Sequence, residues 1–88
     1  MTPARAIRAA MSEEIDALGL LCPLPVLRLR KRLQAIAPGQ SLTILTDDPV
    51  AVIDVPHFCQ EAGHRVVSTE LLGPDGPARR FTVLKGAD

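Results

Sequence analysis

Cys22 is followed by Pro23, Leu24 and Pro25, and these residues stand directly before the apolar and basic run VLRLRKRLQAIA. Cysteine is the most reactive side chain of this chain, and its nucleophilic form is the thiolate. Proline cannot donate a backbone hydrogen bond. A Cys-Pro-x-Pro stretch therefore suits the first turn of a helix, where the N–H groups have no intrahelical partner in any case. A cysteine immediately before that helix should lie near the unpaired N–H groups, at the positive end of the helix dipole, which favours thiolate. The expected chemistry is nucleophilic sulfur chemistry at Cys22, with Pro23 and Pro25 stiffening the junction and presenting the sulfur at an exposed corner. The opposing reading is an inert core residue, since free cysteine is commonly buried. The Cys-Pro-x-Pro setting weighs against it.

The other residues capable of chemistry carry weaker signals. Cys59 falls mid-helix beside Phe58 and reads as core; a resolving role would require it to reach Cys22. His57, Cys59 and His64 match no common zinc spacing, and residues two apart on a helix point to different faces, so neither metal nor cofactor is expected. Asp47 and Asp48 do not read as a catalytic acid pair, because capping of the following helix accounts for Asp48. Arg28, Arg30, Lys31 and Arg32 follow the cysteine on one helix. An ordinary solvated face accounts for at least two of them; the alternative is an electropositive surface that steers an acidic partner.

The elements that must position these residues follow from periodicity. Residues 14–18 read as a short strand with Ile15 and Ala17 on one face, ended by a turn at Gly19. From Pro23 the period becomes helical: Val26, Leu29, Leu33, Ile36 and Ala37 share one face, Arg28, Lys31 and Arg32 the opposite one, and Pro38-Gly39 stops the helix. Residues 41–46 (SLTILT) read as a second strand. A second helix then starts from an Asp48 cap with Pro49 in its first position and ends at Ala62 before Gly63. Pro56 inside it predicts a kink or two short pieces. Residues 65–72 and 78–85 are two strands joined by the turn GPDGP. The order is β-α-β-α-β-β, and its simplest packing is a two-layer α/β sandwich of the α+β type, with both helices on one face of a four-stranded mixed sheet.

Bulk composition sets the outer limits. The chain has 88 residues, 47% hydrophobic, with two Phe and neither Trp nor Tyr, so it supports one small aliphatic core. Ten basic residues balance ten acidic ones, which argues against generic nucleic-acid binding through overall charge. No apolar run reaches the length of a membrane span. Two cysteines are too few for a secreted disulfide scaffold, so a reducing cytoplasm is expected. Residues 1–13 read as a mobile tail without the apolar region of a secretory signal, and residues 14–88 as one domain. Met11 could equally serve as a second start.

The stretch IDALGLLCPLPVLRLRKRL, followed by TDDPVAVIDVPHFCQEAGHRVV, resembles the TusA family of small sulfur carriers, also called SirA-like. The likeness runs from about Glu14 to Lys85. Its hallmark Cys-Pro-x-Pro is matched by Cys22, Pro23, Leu24 and Pro25, the preceding Asp-x-x-Gly by Asp16 and Gly19, and a later Asp-x-Pro-x-Phe-Cys by Asp54, Pro56, Phe58 and Cys59. The resemblance implies the same two-layer fold and a persulfide carried on Cys22. It implies a cysteine desulfurase or rhodanese as donor and a downstream acceptor in tRNA thiolation, molybdenum-cofactor supply or sulfur oxidation. It also implies a docking surface that includes Arg30 and Asp47, with Arg28 and Lys31 beside them. Position 24 departs from the pattern: it is Leu where tRNA-thiolation members commonly carry Glu. A monomer is expected. The rival readings are a non-catalytic interaction or regulatory module of the same fold and, third, a weak nucleic-acid-binding module.

Overall fold

In the computed structural model, which describes residues 13–87, the chain alternates strands and helices in the order β1 (Glu14–Ala17), α1 (Leu24–Leu33), β2 (Ser41–Thr46), α2 (Ala51–Ala62), β3 (Arg65–Leu71) and β4 (Arg79–Leu84). The strands form one four-stranded sheet in the order β1-β2-β4-β3. β1 pairs with β2 in parallel, while β4 pairs antiparallel with both β2 and β3, so the sheet is mixed. Both helices cover one face, giving the two-layer sandwich expected from the element order.

The core lies between the layers. Ile15 and Ala17 of β1, Leu42 and Ile44 of β2, and Phe81 and Val83 of β4 alternate inward and meet Leu29 and Leu33 of α1 and Ala51, Val55 and Cys59 of α2. These are strict period-two and period-four patterns, which is why the strand and helix boundaries could be read closely. On the open face Arg80 pairs with Glu14 at 3.1 Å and with Glu70 at 3.0 Å.

Four details depart from expectation. α1 ends at Leu33, four residues before Ala37; the chain continues in tighter i→i+3 turns, Ala35 N–H to Arg32 O and Ile36 N–H to Leu33 O. Ile36 remains packed against the core while Ala37 is exposed. α2 runs through Pro56 as one helix, because Pro56 removes a single bond, the one to the Val52 carbonyl. The same helix begins at Ala51, two residues beyond Pro49, with Gly63 in the left-handed conformation ending it. Glu13, assigned from sequence to the tail, is tied to the domain: its carbonyl accepts from Thr43 N–H at 2.7 Å and its carboxylate pairs with Arg32. The rest of the expected tail, residues 1–12, lies outside the described residues.

Candidate functional site at the helix starts

The topology brings two helix N-termini together. β1 leads through α1 to a parallel β2. β2 leads through α2 to β3, which also runs parallel to it, since both oppose β4. Both helices therefore begin beyond the carboxyl ends of the parallel strands, the edge where open α/β sheets place their ligands. Cys22 stands before α1, while Asp48 precedes α2 and Asp54 sits in its first turn.

Each side chain there has a definable task. Asp48 is only 5% exposed, and its two carboxylate oxygens accept from Cys22 N–H at 2.6 Å and from Val50 N–H at 3.2 Å. It thus binds the cysteine backbone to the start of α2 and closes a local turn there, but it is not the expected helix cap: the N-cap position is Val50, and no side chain caps it. Asp47 accepts from Gly19 N–H at 2.9 Å, and Asp16 accepts from Leu18 N–H at 3.0 Å, so both hold the loop that leads to Cys22. Gly19 adopts φ +81°, a conformation that L side chains rarely tolerate. The Cys22–Pro23 peptide is cis, and Pro25 is buried beneath the helix start. Cys22 itself is exposed, and its thiol donates to Asp54 Oδ2 at 3.0 Å.

The electrostatics overturn one expectation. The thiolate favoured at a helix start is opposed here. The hydrogen bond to Asp54 raises the thiol above its ordinary value, desolvation adds to this, and the negative charges of Asp54 and Asp48 add further. The charges acting on the sulfur are carboxylates, Asp54 from α2 and Asp48 from the loop before it, and the thiol is raised although it stands at the start of α1. Among the described residues, the depression that Cys22 lines with Pro25, Asp48 and Asp54 is too shallow to hold a small substrate.

Residues 13–85 match the family described as sulfurtransferase TusA. The chain belongs to that family. Among solved structures, it is similar to the crystal structure of a SirA-like protein from Desulfitobacterium hafniense, with 28% identity over 86% of this chain and 99% of that chain and a TM-score of 0.67. TusA membership brings with it a sulfurtransferase function of the sulfur-carrier type.

Of the TusA-type site residues expected from sequence, the structure gathers Cys22, Pro23, Pro25, Asp16, Gly19 and Asp47 around the helix starts. Arg28 and Lys31 are exposed on the outer face of α1. Arg30 lies elsewhere: with Phe58, His64 and Lys85 it lines a cleft of about 220 Å³ near the C-terminal ends of both helices. His64 Nδ1 accepts from Gly86 N–H at 3.0 Å, and burial, with Lys85 nearby, lowers its pKa. Among the described residues no group of three His, Cys, Asp or Glu gathers as a metal site, and no helix is long and apolar enough to cross a membrane.

Sequence reading missed the contact of Asp54 with the sulfur and the hold of Asp48 on its backbone. A signal existed. Two β-α-β units with parallel strands in one sheet start both helices at the same edge, so acids at the second helix start face a cysteine at the first.

Proposed function

We propose that Cys22 carries sulfane sulfur as a persulfide, loaded by a cysteine desulfurase or a rhodanese and relayed to a downstream acceptor. The carrying observation is an exposed thiol whose backbone is fixed by a buried carboxylate on a surface without a substrate pocket. Such a site is completed by a second protein. In loading, the Cys22 thiolate attacks the outer sulfur of the donor's persulfide and the donor's S–S bond breaks. The electron pair leaves on the donor cysteine, which takes up the proton lost from Cys22; no net oxidation occurs. In delivery Cys22 changes from nucleophile to leaving group: the acceptor or its partner attacks the outer sulfur, the Cys22 S–S bond breaks, and the electron pair returns to the Cys22 sulfur.

The surroundings support a protein partner. Leu21 (68% exposed), Leu24 and Leu27 at the start of α1, with Val50 and Ile53 (71%) at the start of α2, leave apolar side chains in solvent around the sulfur. Exposed Leu24, in place of the Glu of tRNA-thiolation members, weighs against tRNA thiolation as the route and leaves the carrier chemistry unchanged. An exposed free thiol supports a reducing cytoplasmic setting. The test is incubation with a cysteine desulfurase and cysteine, followed by intact-protein and peptide mass spectrometry. One reducible sulfur atom should appear on the Cys22 peptide, persist in Cys59→Ser and vanish in Cys22→Ser. Uptake by Cys22→Ser would take the carrier role from Cys22, and no uptake by wild type would return the protein to the non-catalytic interaction module.

A further inference from the structure

We infer that Asp54 is a latch that holds the idle carrier as a thiol, and that a sulfur donor opens it by presenting a cation to the Asp54 carboxylate. The second half rests on the carrier function proposed above. The geometry is direct: Cys22 Sγ donates to Asp54 Oδ2 at 3.0 Å, in the first turn of α2, where the helix dipole favours negative charge. The charged groups acting on the thiol are Asp54 from α2 and Asp48 from the loop before it; Arg28, Arg30 and Lys31 of the facing helix α1 do not offset them. Among the described residues no cation pairs with Asp54.

Thiol exchange requires the thiolate, so a sulfur facing two carboxylates reacts slowly with chance electrophiles at neutral pH. That suits a carrier that must be inert in transit. It also demands a release. A lysine or arginine amid an apolar donor surface would pair with Asp54, while Leu21, Ile53 and their neighbours exclude water and strengthen the pair. The S–H then loses its acceptor, and the charge of Asp54 is neutralised. Its proton passes to the departing donor thiolate as the new S–S bond forms on Cys22, so atoms and charge balance within the exchange.

The test compares wild type, Asp54→Asn and Asp54→Glu in two assays: iodoacetamide alkylation of Cys22 across pH, and persulfide loading by a cysteine desulfurase with cysteine. Asp54→Asn should be alkylated about threefold or more faster at pH 7, with its rate profile displaced to lower pH, yet be loaded several-fold more slowly. Asp54→Glu should fall back towards wild type in both. Loss of packing would move neither assay in this opposed way. Unchanged or slower alkylation of Asp54→Asn overturns the latch, and loading that accelerates in step with alkylation overturns the donor cation. If wild type takes up no sulfur from the desulfurase, the carrier function falls, and the donor cation with it, while the alkylation profile still decides the latch. Wild type alone supplies a second measurement should Asp54→Asn unfold. A methanethiosulfonate with an ammonium tail should modify Cys22 faster than a neutral one, and a sulfonate-tailed one slower still. No charge order, or the reverse, overturns the proposal.

Discussion

Cys22 and Cys59 are the same side chain in two regions of one small domain, and both thiols titrate above the ordinary value, for different reasons. Cys22 is exposed, and the hydrogen bond to Asp54 is the leading cause. Cys59 is 1% exposed on the sheet-facing side of α2, and burial alone pushes it up to about 11. A carboxylate contact on the surface can be cancelled by an approaching partner. Burial in the core yields only when the core opens. Two thiols quiet at neutral pH are therefore not equivalent, and only one can be switched by docking.

The largest expected effect is the contrast in labelling. Iodoacetamide at neutral pH should modify Cys22 in the folded protein and leave Cys59 untouched until denaturant opens the core. Peptide mapping after limiting exposure reads this directly, and equal labelling would dissolve the distinction. Raising pH extends the comparison. A buried thiol with a raised folded pKa stabilises the fold fully below its unfolded value, near 9.0, and that contribution is lost as pH climbs through about 11. Urea unfolding should accordingly weaken over that alkaline window. Cys59→Ala should remove that part of the weakening, at a cost of about 1–2 kcal/mol at neutral pH from the lost packing. The same alkaline weakening in Cys59→Ala would mean that Cys59 does not supply it.

A smaller effect should come from Asp48, which ties the exposed cysteine to the rigid region that holds the buried one. Asp48→Asn leaves one carbonyl oxygen for two N–H donors and turns an amide N–H₂ towards the other. With Cys22 N–H or Val50 N–H unpaired in a half-buried place, stability should fall by about 1–3 kcal/mol. Amide hydrogen exchange should quicken at Cys22 and Val50 before it does at Leu29 or Ile44. Uniform acceleration across the core would instead make Asp48 an ordinary stability residue with no special hold on the sulfur loop.

Much of this layout was legible in the sequence because burial there repeats. Val26, Leu29 and Leu33 declared α1, SLTILT declared β2, and the two-layer architecture needed only the element order with both helices on one face; the strand order β1-β2-β4-β3 was not read. Cys22 was legible because proline has no N–H and tolerates few positions. Asp54 and Asp48 were not, because their contacts with Cys22 span 32 and 26 residues and depend on where two helix starts meet in space. The local rule, a helix dipole favouring thiolate, was sound by itself and lost to charges brought by topology. The surroundings of Arg30 were illegible for a related reason: its place along α1 does not say that it lines a cleft with Phe58 and His64 at the far end.

The smallest effect concerns those cations. Arg28 follows the exposed Leu24 by one helical turn, whereas Arg30 lies about 9 Å of helix rise beyond Leu24 and faces the cleft. A rim charge acts chiefly on association rate, and salt screens it over about 10 Å. Charge reversal at either position should leave folding and iodoacetamide reactivity of Cys22 close to wild type, because neither residue acts on the thiol. Loading by the desulfurase at low salt should slow by a few-fold in Arg28→Glu and by less in Arg30→Glu, and both differences should close as salt rises. The ranking separates two surfaces. If Arg28 dominates, the donor sits over the helix starts, with Leu24, Leu27 and the sulfur under it. If Arg30 dominates, the partner also grips the cleft with His64 and Lys85, and its footprint runs the length of both helices. If neither reversal changes loading at low salt, these arginines are a solvated helix face, and recognition rests on the apolar side chains and carboxylates at the Cys22 end.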